Sequence, residues 1–215
     1  MESVTRWEPN ARERLEKAAM ELYRERGFDE TTVAEIAERA GLTERTFFRY
    51  FSDKREVLFW GAGALQDLLT EKVGGAPDGS APLDVVVTAL ESTSEMFEQR
   101  REFAGHRQAL IAAHPELLER ELVKLASLAM AIAEALRRRG VTDPAASLAG
   151  EAGIAVFRLG FQSWVADPKR GPLSQHIRAS LRSLKAVTAG ESPPTKKATR
   201  GRRVAPREAR RKGSA

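Results

Sequence analysis

Residues 41–54, GLTERTFFRYFSDK, interleave four aromatic and three basic residues in a chain whose overall aromatic content is 7%. A helix turns about 100° per residue, which puts Phe47 and Phe51 on one side and Arg45 and Arg49 on the opposite side. Glu44 and Phe48 flank one edge, and Thr46 and Tyr50 the other. The chemistry open to such a helix is recognition of a duplex. Arg makes bidentate hydrogen bonds to guanine in the major groove, and threonine or aromatic carbons meet a thymine methyl. Thr32, Thr43, Tyr50 and Lys54, at helix starts or edges, are placed to reach phosphate oxygens.

The surrounding elements must hold that helix in place. Residues 10–26 carry Leu15, Ala18, Ala19 and Leu22 on one stripe, closed by Gly27. Thr32 to Glu35 reads as a capping box that opens a short helix with Val33, Ile36, Ala37 and Ala40 inward. Gly41 ends it, and Thr43 can cap the next helix. Two helices joined by the tight turn Ala40-Gly41-Leu42-Thr43 outline a helix-turn-helix. The aromatic pair then anchors to a core of Leu15, Leu22, Phe28, Val33 and Ile36. Ser52 or Asp53 can cap a fourth helix running to about Val73.

The remainder also reads as helix, with no strand-type alternation. After the loop GGAPDGSAP, helical patterns cover about 83–100 and 102–113, then a segment from Pro115 to Arg139. There Leu118, Leu122, Leu125, Ala129, Ile132 and Leu136 repeat as a packing seam. Segments 143–167 and 172–188 follow. The expectation is an all-α fold of about nine helices. It comprises a helix-turn-helix domain at 1–57, a second helical domain at 58–189, and a disordered basic tail at 190–215.

Charge is unevenly distributed. The tail holds nine Lys or Arg against Glu191 and Glu208, a net +7, while the whole chain is +5, so residues 1–189 sum to −2. Residues 1–58 carry 11 basic and 13 acidic side chains. DNA recognition therefore requires the cations to be gathered locally, with the tail either a solvated extension or a source of sequence-independent phosphate attraction. The chain has no cysteine, a charged N-terminus and no apolar run of membrane-spanning length, which reads as a cytoplasmic protein with no membrane partner. No phosphate loop, nucleophile elbow or metal-ligand spacing is present, so no enzyme, cofactor or metal is expected. His106 and His114 are eight apart with no carboxylate at ligand spacing.

The run TTVAEIAERAGLTERTFFRYFSDKREVL, residues 31–58, resembles the DNA-binding segment of tetracycline-repressor-type (TetR) transcriptional regulators. The resemblance implies base-facing roles for Glu44, Arg45, Thr46, Phe48 and Arg49, and phosphate contacts from Thr32, Thr43, Tyr50 and Lys54. At Phe48 the family commonly has tyrosine, so one hydroxyl contact is missing. The segment around HPELLERE, with Arg107 upstream, resembles regulators associated with mycofactocin gene clusters.

That resemblance further implies a homodimer on a near-palindromic double-stranded DNA operator, and a small-molecule effector that releases a repressor. The sequence supports two-sided packing of segment 143–167: Leu148, Ala152, Ala155 and Leu159 form one apolar stripe, and Ile154, Phe157, Phe161 and Trp164 form another. The aromatic stripe, with Ile177, Leu181 and Leu184, is the expected dimer interface, with Gly153 and Gly160 allowing close approach. Trp60, Met96, Phe97, Phe103, His106, Leu110 and His114 could line a mainly apolar effector pocket or serve as ordinary core, with Arg107 available to an anionic or acyl-type group. The competing class is a helical adaptor that binds protein without reading DNA.

Overall fold

The structure, a computed structural model, describes residues 10–167, 169 and 171–190. The expected tail lies outside the described residues apart from Gly190. Among the described residues there are ten α-helices, one 3-10 turn and no strand. A head is built from α1 (Ala11–Arg26), α2 (Val33–Arg39), α3 (Glu44–Tyr50) and the 3-10 turn Glu56–Phe59. The body contains α4 (Ala62–Gly74), α5 (Pro82–Ser92), α6 (Ser94–Glu98), α7 (Arg101–Ala113), α8 (Pro115–Arg138), α9 (Ala145–Ala166) and α10 (Leu173–Thr188).

Two segments expected to be continuous are broken. The Asp53 carboxylate accepts the N–H groups of Arg55 and Glu56 at 2.8 and 3.1 Å, which starts the 3-10 turn, and Gly61 at φ 87° redirects the chain into α4. Further on, the hydroxyls of Ser92 and Thr93 donate back to the carbonyls of Ala89 and Leu90, both at 2.7 Å. Such back-bonding competes with the helix ladder, and the helix breaks at Thr93 before α6 begins.

The head core gathers Leu15, Leu22, Phe28, Ile36, Phe47 and Phe51, with Val33 packed at its margin. Ile111 of α7 and Leu117 of α8, both fully buried, complete it, so the α7–α8 corner closes the head from below. The α8 seam is only half used. Ala129, Ile132 and Leu136 are buried, whereas Leu118 and Leu122 are 43% and 47% exposed. A straight helix drifts roughly 20° per heptad from a 3.5-residue repeat, and by the N-terminal end Leu117 has become the inward residue.

Helix α9 is the central element, in contact with α5, α8 and α10. Its two apolar stripes take the opposite assignment from the one expected. Ile154, Phe157, Phe161 and Trp164, together with Ile177 of α10, are buried inside the subunit, and Leu181 and Leu184 pack against the same core. Phe97, Phe157, Phe161 and Trp164 form a continuous ring cluster with centroids 5.5–5.8 Å apart. The outward stripe is the aliphatic one: Leu148 is 64% and Leu159 55% exposed. Aromatic rings remove the most apolar area from water, so the subunit takes them first. Gly153 and Gly160 permit the close approach of α5 and α10 within the subunit, at Val86 and at the Ile177 backbone.

Gly150 is the tightest of these backbone contacts: a Cβ there would meet the Ala129 carbonyl oxygen at 2.6 Å. Gly150→Ala should force α8 from α9 and lower stability by about 1–3 kcal/mol. Gly63→Ala, at a helical site with nothing within 4 Å, should be neutral or stabilising. Urea unfolding of both variants checks this, and equal midpoints for Gly150→Ala and the parent would contradict the packing described.

Candidate nucleic-acid interface

α3 spans seven residues, too few to persist alone in water. Its rotation about its own axis is set by Phe47, fully buried, and Phe51, 4% exposed, whose rings lie 5.4 Å apart. Thr43 caps it, accepting the Thr46 N–H at 3.2 Å, while the two threonine hydroxyls sit 3.1 Å apart. The preceding turn closes through Leu42 N–H to the Ala37 carbonyl and Gly41 N–H to the Glu38 carbonyl, both 2.8 Å, with Gly41 left-handed at φ 64°. From α1, the Arg14 guanidinium donates to the carbonyls of Ala40 and Gly41 at 2.5 and 3.2 Å and fixes the turn to the first helix.

With the aromatic pair buried, the other side of α3 faces out. Glu44, Arg45, Phe48 and Arg49 are exposed, Phe48 to 55%, and Thr46 and Tyr50 are half-buried at its edge. Arg49 lies over the Tyr50 ring at 4.9 Å and donates to its hydroxyl at 3.2 Å. Arg12 of α1 is stacked between Tyr50 and Trp60, at 5.3 and 4.8 Å. Much of the head's acidic surplus is engaged elsewhere. Arg39 pairs with Glu21 and Glu25, Arg55 with Asp53, and Arg100 of the body with Glu16. Hydrogen bonding from Arg39 holds the Glu25 carboxyl below its ordinary range, so that carboxylate stays ionised and paired. On the outward side of α3 the acidic residue is Glu44.

The residues expected at phosphates are differently engaged. Thr32 forms the anticipated capping box: its hydroxyl accepts the Glu35 N–H, and the Glu35 carboxylate accepts its N–H at 2.9 Å. That backbone bond from Thr32, followed by the Thr32 hydroxyl and Arg26, lowers the Glu35 pKa. The Lys54 ammonium donates to the carbonyls of Phe28, Asp29 and Thr31 at 2.8, 3.0 and 2.9 Å. These occupy its three donors, so in this structure Lys54 closes the α1–α2 loop against the head.

The eight residues expected around an effector do not converge. Trp60 faces Arg12 beside the head, His106 is exposed, and His114 stacks on Phe28 of the head at 5.1 Å. Leu110 packs against the head core, and Phe103 lies under the Arg100 guanidinium. Met96 is 43% exposed, and only Phe97 joins the aromatic cluster of α9. Asp29, His114 and Glu116 bring one nitrogen or oxygen each within 4.8 Å, a juxtaposition that sequence spacing did not reveal.

Arg107 has a structural partner set. It donates to the Leu58 carbonyl at 2.6 Å and forms a two-pronged pair with Glu121 of α8 at 3.2 and 2.6 Å. Arg120 and Lys124 of α8 hold Glu56 of the 3-10 turn. These contacts fasten the last turn of the head to α7 and α8. The roles of Arg12, Arg14 and Arg100 had no local sequence signal, because their partners lie on other elements.

Residues 15–59 match the family described as bacterial regulatory proteins, tetR family, and residues 80–189 match the MftR C-terminal domain. A curated relative, the HTH-type transcriptional regulator TcmR of Streptomyces glaucescens, is 32% identical over 109 residues, 51% of this chain and 48% of the relative. The chain thus spans about half the length of that relative. Among solved structures, Thermus thermophilus FadR, a repressor in complex with lauroyl-CoA, is similar with TM-score 0.51 and 26% identity, over 88% of this chain and all of the other. The fold is also that of SmeT of Stenotrophomonas maltophilia in complex with triclosan, with TM-score 0.58 and 17% identity, over 82% of this chain and 90% of the other.

Replacing Arg14 with Met keeps the apolar stem and removes the donors to Ala40 and Gly41. The bond to the Ala40 carbonyl is partly buried, and leaving such an acceptor unpaired costs about 1–3 kcal/mol, so Arg14→Met should lower the urea midpoint accordingly. A variant as stable as the parent would show that the tether contributes nothing.

Proposed function

The chain belongs to the TetR family of transcriptional regulators and carries an MftR-type C-terminal domain, and from that premise we propose that it is a dimeric repressor released from a near-palindromic operator by a small effector. One observation carries the reading: α3 buries Phe47 and Phe51 and turns Arg45, Arg49 and Phe48 outward. In a major groove Arg45 and Arg49 meet guanine edges, and Phe48 and Thr46 meet thymine methyls, with Glu44 at the entry. Thr32, Thr43 and Tyr50 lie along the backbone, and Lys54 contributes charge from its place in the loop. We assign DNA binding to residues 1–57 and effector binding and dimerisation to 58–189.

The dimer surface we propose is the outward side of α9 and α10. An open groove of about 580 Å³ lies between them, lined in part by Ala155, Leu159, Ser163, Ala179, Leu184 and Val187. Leu148, Leu159 and Val187 are 64%, 55% and 64% exposed, an apolar stripe that a second copy covers by two-fold pairing of the same helices. The two recognition helices then meet successive major grooves about 34–36 Å apart.

The effector is a hydrophobic or acyl-type molecule bound in the body. The likeness to FadR, solved with lauroyl-CoA, supports an acyl group. α7 is the physical link to DNA, because Arg107 joins it to the Leu58 carbonyl and to Glu121. An effector that moves α7 changes the spacing of the two heads, and only its preference for that second arrangement supplies the release energy.

Arg45→Ala should weaken binding to DNA from upstream of the protein's own gene by about 1–3 kcal/mol in a gel-shift assay, with folding intact. Normal binding by this variant removes Arg45 from the base-reading set, and no binding by the parent favours the adaptor reading. Leu159→Arg should convert a dimer to a monomer in light scattering and abolish operator binding; a variant that remains dimeric places the interface elsewhere.

A further inference from the structure

Four side chains of the head are joined by ring–cation contacts. The Arg12 guanidinium lies 4.8 Å from the Trp60 ring and 5.3 Å from the Tyr50 ring. Arg49 approaches the same Tyr50 ring at 4.9 Å and donates to its hydroxyl at 3.2 Å. The chain of contacts therefore leads from the residue after the 3-10 turn to the outward side of α3. Elsewhere in the head Arg26 pairs with Glu35, Arg39 with Glu21 and Glu25, and Arg55 with Asp53. Arg12 and Arg49 share a tyrosine instead, and neither has a carboxylate partner among the described residues.

An open hollow of about 350 Å³ adjoins these contacts, lined by Arg12, Tyr50, Phe51, Ser52, Glu56 and Trp60. The carboxylate in that lining, Glu56, is neutralised by Arg120 and Lys124 of α8. Arg12 is exposed, and its five N–H donors have no acceptor among the described residues. Ser52 adds an exposed hydroxyl. A flat guanidinium matches phosphate oxygens with two parallel hydrogen bonds, and its charge strengthens both. Ring faces hold it in position without using a donor, so little side-chain freedom is left to lose on binding.

We propose that Arg12 is a phosphate-binding residue, held by Tyr50 and Trp60 against a phosphodiester of the DNA backbone beside the groove that α3 enters. This rests on the reading of the head as a DNA-binding unit. It adds a contact that precedes residues 15–59, the segment matching the family. Trp60 becomes a positioning residue: its ring backs the guanidinium, while its buried indole N–H has no hydrogen-bond partner and takes no part. The contact stands in for Lys54, whose three donors close onto loop carbonyls. A phosphate contact carries no sequence information; it fixes the register of α3 on the duplex.

The test uses the full chain and two duplexes of equal length, one from upstream of the protein's own gene and one with that sequence scrambled. Fluorescence anisotropy measures affinity over a range of potassium chloride concentrations. Arg12→Gln should weaken binding to both duplexes alike, by about three- to tenfold at about 0.15 M salt. Its slope of log affinity against log salt should be shallower than the parent's by roughly 0.9, the share of one phosphate. Arg12→Lys keeps the charge and should keep the slope, with intermediate affinity because an ammonium lacks the fork. Trp60→Phe keeps a ring beside the guanidinium and should bind nearly as the parent does, whereas Trp60→Leu should bind more weakly. A merely structural Arg12 would leave the slope of Arg12→Gln unchanged, and that result overturns the proposal, as does parent-like affinity in this variant. Thermal shift with inorganic phosphate at fixed ionic strength probes the other source of the same group. Stabilisation of the parent that Arg12→Gln lacks, with an unchanged slope, assigns the hollow to a free anion and overturns the DNA contact. If the parent binds neither duplex, the DNA reading itself falls, a result distinct from equal binding by parent and variant.

Discussion

Burial of two benzyl groups, Phe47 and Phe51, is the constraint on which the rest of the molecule depends. A seven-residue helix has little stability of its own, so α3 exists because tertiary packing holds it. The same packing fixes its rotation. Because the rings enter the head core, side chains half a turn away have to face solvent, and those are the guanidiniums. The Thr43 cap, the left-handed Gly41 and the Arg14 tether refine the position of a helix whose orientation the two rings already determine.

A second competition, between two apolar stripes on α9, decides the body. Both stripes are hydrophobic enough to be buried, and a single subunit has partners for one. The aromatic stripe enters the subunit because its rings and neighbouring glycines fit the close approach of α5 and α10. What remains outside is smaller and aliphatic, the stripe of Leu148 and Leu159.

Much of this was legible in the residues. The capping box at Thr32, the Thr43 cap, the Gly41 turn and the inward pair on α3 are local features with short-range causes, and each is in the structure as the spacing implied. The two unexpected breaks were also local, but they turn on hydroxyl back-bonding and a left-handed glycine, which a 3.6-residue pattern does not register. Failures were concentrated where a side chain's partner is distant in the chain. Nothing near Lys54 says that its ammonium closes onto carbonyls at 28, 29 and 31, or that Arg107 fastens Leu58 to Glu121. The choice between the stripes of α9 was illegible for the same reason: periodicity identifies two faces and cannot rank their neighbours.

Ile111 and Leu117 sit in the head core although the chain delivers them some fifty residues after the head ends. The DNA-reading unit is therefore not a cassette that recombination can lift out at residue 59. A chimera that borrows this head has to inherit the α7–α8 bend with it, or evolve two new apolar plugs. Exchange of heads between bodies is thereby restricted to lineages in which that bend has kept its shape.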